Sequence, residues 1–85
     1  LQDINERIEK AKEDVKNGIS SPIIYFMEVH KMDWVVLSSY VGMWIWRVKR
    51  HRKPSVFNRL SNKVLSKYAE AFEISIEELK NFKGE

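Results

Sequence analysis

Eighty-five residues, 44% hydrophobic and 32% charged, bound one folded domain with one core and exclude a disordered or low-complexity chain. The absence of cysteine removes disulfide frameworks and thiolate metal sites, and makes the reducing cytoplasm the expected compartment. The net charge of +3 is distributed unevenly: residues 34–69 hold Arg47, Lys49, Arg50, Arg52, Lys53, Arg59, Lys63 and Lys67 with no acid, a local charge of +8 that leaves −5 for the rest. An asymmetry of that size points to a polyanionic partner for the middle of the chain, most often nucleic acid. The mainly apolar stretch 34–46 is too short to cross a bilayer and is broken by Ser38, Ser39 and Gly42, so no membrane association is expected. Residues 1–17 are too charged for the core of a signal peptide. A start at Leu1 in place of Met is what a trimmed chain or a fragment would show.

In chain order, Leu1, Ile4, Ile8, Ala11 and Val15 recur at spacings of three and four among charged residues, the one-sided stripe of an amphipathic helix that Asn17-Gly18 ends. Charges along its outer face are mixed, with Glu6 and Lys10 attracting while Glu9 and Glu13 repel, so they stabilise it little. The stripe must be covered by the rest of the chain, which is the favoured reading, or by a second copy in a short coiled coil. Ser21-Pro22 supplies a cap and a first-turn proline for a second helix whose apolar face comprises Ile23, Ile24, Phe26, Met27 and His30, running through Lys31. Asp33 is a good N-cap for a helix from Trp34 to about Val41, and Gly42 is the expected left-handed stop.

A basic helix is then predicted over about residues 44–52, ended by Pro54, which pushes the preceding residue out of helical geometry. A loop is predicted next, with Phe57 and Leu60 tucking beneath the domain. Ser61 caps a helix carrying Val64, Leu65, Tyr68, Ala69 and Phe72. Ser75 and Glu78 have capping-box spacing and open a last helix that buries Ile76, Leu79 and Phe82 before Gly84 frees the tail. No stretch alternates as a strand does, so the fold class is all-α.

Residues 33–51 have the proportions of two helices meeting across one tight turn. Leu37-Ser38-Ser39-Tyr40-Val41-Gly42-Met43, followed by Val48, resembles the Cro and phage-repressor-like (xenobiotic-response-element) helix-turn-helix family. Leu65, Tyr68-Ala69, Phe72 and 74–79 look like that family's last two helices, so the resemblance covers about residues 21–82. It implies a five-helix helix-turn-helix domain, assigned to residues 19–85, and the amphipathic helix read from periodicity over 1–18 is an addition ahead of it. It also implies a transcriptional regulator, usually a homodimer, that binds duplex DNA with residues 45, 46, 49 and 50 facing the major groove.

Against the family pattern, Trp44 stands where a helix-opening Ser is usual, and Trp34 and Ile45 replace Gln at the starts of the two helices. His51 replaces a buried aliphatic, and Arg52 a frequently acidic residue. Direct readout would fall to Lys49 and Arg50, with apolar contact between Ile45 or Trp46 and thymine methyls. The DNA-contacting set is therefore Ile45, Trp46, Arg47, Lys49, Arg50, Arg52, Lys53 and Arg59. Trp44 and Trp46 stand about 200° apart on a helix, so Trp44 is expected to lean inward and Trp46 outward. The alternative function is protein recognition through Trp34, Ile45 and Trp46, as exposed Trp is enriched at interface hot spots. Stacking of single-stranded nucleic acid on the tryptophans is a lesser third. His30 and His51 are far apart in sequence and have no neighbouring Cys, so a metal site would need carboxylates from outside the basic segment, and none is expected. No nucleophile, base and acid grouping or glycine-rich phosphate loop stands out, so neither catalysis nor a cofactor is expected.

Overall fold

The computed structural model describes residues 2–84, with side chains from Glu6 onward. Seven helices and no strand occur among the described residues: α1 (Gln2–Lys16), α2 (Pro22–Val29), α3 (Trp34–Val41), α4 (Ile45–Arg50), α5 (Pro54–Phe57), α6 (Asn62–Phe72) and α7 (Ile76–Asn81). None of them is long and apolar enough to cross a membrane. The all-α class read from the sequence is the class observed.

The core is built by α2, α3, α4, α5, α6 and α7. Ile23, Phe26 and Met27 of α2 meet Leu37 and Val41 of α3, Val48 of α4, Phe57 of α5, Leu65, Tyr68 and Phe72 of α6, and Leu79 of α7. The α6 contribution follows from spacing, because Leu65, Tyr68, Ala69 and Phe72 fall on one helical face and all four are buried. Phe26 stacks on Phe72 at 5.5 Å between ring centroids, and Tyr25 stacks on Phe82 at 4.2 Å. Those aromatic pairs join α2 to α6 and to the chain just beyond α7.

Caps set the boundaries. Asp33 accepts from the Val36 amide at 2.8 Å, Ser61 from Val64 at 3.4 Å and Ser75 from Glu78 at 3.0 Å, each satisfying a first-turn amide that has no helical partner. The Ser75 cap is one-sided: among the described residues the Glu78 carboxylate makes no return bond. Gly42 takes the left-handed conformation at φ 68°, ψ 34°, and its amide donates to the Ser38 carbonyl, which closes α3 and turns the chain into α4.

α1 lies against α2. Ala11 is buried, Ile8 and Val15 are half-buried, and Arg7 reaches across to Glu28 with Nη2 donating to Oε1 at 2.9 Å and Nε 2.8 Å from Oε2. The stripe is thus covered by the chain's own second helix; Leu1 and the side chain of Ile4, also assigned to it, lie outside the described residues.

Several expectations need correction. The second helix, α2, ends at Val29 and does not run through Lys31. Gly84 does not free a tail: it is buried on α1, and a Cβ there would clash with the Lys12 carbonyl oxygen, so only glycine permits this approach. The chain after Pro54 is not a loop but the single helical turn α5, for which a proline at the first position is preorganised. The basic helix is shorter than predicted, spanning Ile45–Arg50, with His51 at its C-cap. Trp44, expected to lean inward, is exposed.

Candidate nucleic-acid interface

α4 is held from behind at three points. Val48 enters the core with no exposed surface, and His51 is buried beside α6, where its Nδ1 lies 2.5 Å from the Tyr68 hydroxyl. Ser21, just ahead of α2, then takes the two carbonyls that follow α4: its hydroxyl donates to the His51 oxygen at 2.8 Å and its amide to the Arg52 oxygen at 2.7 Å. Ser21 occupies the N-cap position of α2 but makes no side-chain cap bond, because its hydroxyl is committed to α4. The cap expected of this serine is replaced by a tertiary tether.

The electrostatics agree with that packing. Burial lowers the His51 pKa below its ordinary 6.5, and the nearby charges of Arg47 and Arg50 lower it further. Burial likewise raises the Tyr68 phenol well above its ordinary 10, so neither ring carries charge at neutral pH. A neutral imidazole is what the buried side of a cationic helix tolerates.

The outward face follows from helical geometry. At about 100° per residue, Ile45, Lys49, Trp46 and Arg50 fall within an arc of about 140°, while Val48 and His51 lie on the far side. Ile45 is 38% exposed and Trp46 60%, with Lys49, Arg50 and Arg47 exposed as well. The helix therefore presents apolar residues at its first turn and cations at its second. Arg52 and Lys53 continue the basic run in the turn before α5, and Arg59 lies in the turn after it; all three are exposed. α4 thus brings five of the eight candidate residues onto one element, with two beside its C-terminus and Arg59 farther along the chain. Among the described residues the ion pairs involve only α1 and α2, which leaves the cations of 34–69 outside that pairing.

The surface extends beyond the predicted set. Trp44 is 74% exposed, because at the N-cap its backbone is extended (φ −63°, ψ 145°), and the angular argument that turned it inward applies only inside a helix. Tyr40 is 66% exposed on α3, with Val35 and Val36 on the same helix also exposed. A sequence signal existed: six of the eight residues in α3 are apolar, more than a one-sided stripe can bury. Trp34 is half-buried and packs against the core. Val56 of α5 lines a hollow with Trp46, Arg47, Arg50 and His51, which places α5 beside the basic helix. Compared with protein-family models, curated proteins and solved structures, the chain finds no match.

Proposed function

We propose that this chain is a DNA-binding regulator of transcription whose α4 enters the major groove of duplex DNA. The observation that carries this reading is the two-sided character of α4: Ile45, Trp46, Lys49 and Arg50 exposed together, with Val48, His51 and the Ser21 tether fixing the opposite side. A groove-reading helix needs that arrangement, since base contacts require side chains presented from a rigid support. On this reading α3 and α4 are the two halves of a helix-turn-helix, α2, α3, α4, α6 and α7 are the five helices of a phage-repressor-like domain, and α1 is an addition. Arg47, Arg52, Lys53 and Arg59 neutralise phosphates, and Lys49 and Arg50 reach base edges. The reading is tested by fluorescence anisotropy with a randomised duplex pool from low to physiological salt. Enrichment of particular sequences with steep salt dependence supports it, and a pool left unenriched overturns it.

A second reading is favoured by one observation, the exposure of three aromatic residues within seven positions, Tyr40, Trp44 and Trp46. A contact surface of that composition suits protein recognition. It requires partner binding that Trp46→Ala abolishes, with little dependence on salt or on duplex sequence.

A further inference from the structure

The outward side chains of α4 share one chemical property: none of them is a hydrogen-bond acceptor. Ile45 has no polar atom, the Trp46 indole only donates, and Arg47, Lys49 and Arg50 only donate. Trp44 ahead of the helix and Arg52 and Lys53 behind it add no acceptor either. His51, which could accept, is buried against Tyr68, and the carbonyls of His51 and Arg52 already accept from Ser21.

In the major groove, guanine offers two acceptors, thymine an acceptor with a methyl group, adenine an acceptor beside an amino donor, and cytosine an amino donor. A surface of donors and apolar groups has nothing to give the amino groups of adenine and cytosine. Only the keto bases are matched at every group they present, since a donor on adenine N7 leaves the neighbouring amino group without a partner. The division along α4 refines the match, because the first turn is apolar and the second cationic.

Resting on the groove-reading role assigned to α4, we propose that this helix reads keto bases alone, with Ile45 and Trp46 packed on thymine methyl groups and Lys49 and Arg50 donating to guanine O6 and N7. The recognised half-site then holds thymines toward the first turn of α4 and guanine toward the second. Adenine and cytosine are read only as the complements of those bases.

The test uses the full chain and the duplex of highest affinity enriched from a randomised pool. Replacing its thymines by deoxyuridine removes only the methyl groups, and affinity falls about fourfold for each methyl that is covered. Replacing its guanines by 7-deazaguanine removes the N7 acceptor, and affinity falls about fivefold or more. Ile45→Ala and Trp46→Ala, both at exposed positions and verified as folded by circular dichroism, bind thymine and uracil duplexes with a smaller difference than the parent chain. Equal affinity for the thymine and uracil duplexes overturns the proposal, as does a uracil penalty that persists undiminished in both variants. A selected duplex bound without regard to its methyl groups leaves the DNA-binding reading intact and defeats the inference alone. Failure to select any duplex defeats both.

Discussion

The hydroxyl of Ser21 donates to the carbonyl oxygen of His51 at 2.8 Å across thirty positions of sequence, and both residues are buried. Together with the bond from the Ser21 amide to Arg52, this fixes the C-terminal end of α4 to the start of α2. Ser21→Ala removes the hydroxyl donor and leaves a buried carbonyl short of a partner, at a cost of about 1–3 kcal/mol. Urea denaturation of the variant should show a lower midpoint with an unchanged slope. An unaltered midpoint would mean that the tether contributes nothing to stability.

His51 gives the fold a pH dependence of defined sign. Its folded pKa is depressed by burial and by Arg47 and Arg50, so in the window below 6.5 the unfolded chain binds a proton that the folded chain does not. Stability from this group is therefore fully present above 6.5 and is lost as pH falls from there toward the folded value. Urea midpoints measured from about pH 7.5 down to about pH 5 should decline over that window. His51→Gln, which cannot titrate, should flatten this part of the profile; a decline of the same size in that variant would assign it to other groups.

Deleting residues 1–17 removes Ala11 and the Arg7 partner of Glu28, and uncovers the surface of α2 beneath α1. Apolar burial at about 25 cal/mol per Å² makes the loss on the order of a few kcal/mol, enough to lower the melting temperature by several degrees. A truncated chain that melts unchanged and differs only in oligomeric state would identify the stripe as an association seam instead.

Salt dependence separates the phosphate-contacting cations from the base-reading ones. Arg52→Ala and Lys53→Ala should each lower the log-log slope of affinity against salt by about one unit and leave sequence preference unchanged. Arg50→Ala should reduce the preference itself, by about 1–3 kcal/mol against the wrong base. Variants that all weaken binding uniformly, with no difference between Arg50 and the other two, would count against a reading role for the second turn of α4.

Much of this molecule was legible in its residues because the informative signals were local. Asp33, Ser61 and Ser75 announce the starts of α3, α6 and α7 through side chains that bond amides three positions ahead, and Gly42 announces a left-handed turn that other residues rarely adopt. The spacing of Leu65, Tyr68, Ala69 and Phe72 identified the buried face of α6 for the same reason. Residues 34–69 declared their charge by the absence of any acid. Tertiary structure decided where a side chain had two uses. Ser21 could cap its own helix or bind a distant carbonyl, and it bonds to His51; the polar partner of the His51 ring is not legible until Tyr68 is placed 2.5 Å from it. Gly84, a chain-end residue in sequence, is committed by the α1 backbone that passes too close for a Cβ. Periodicity records which residues share a face, but only the arrival of another element decides whether that face is covered, and among the described residues no element covers Tyr40, Trp44 and Trp46.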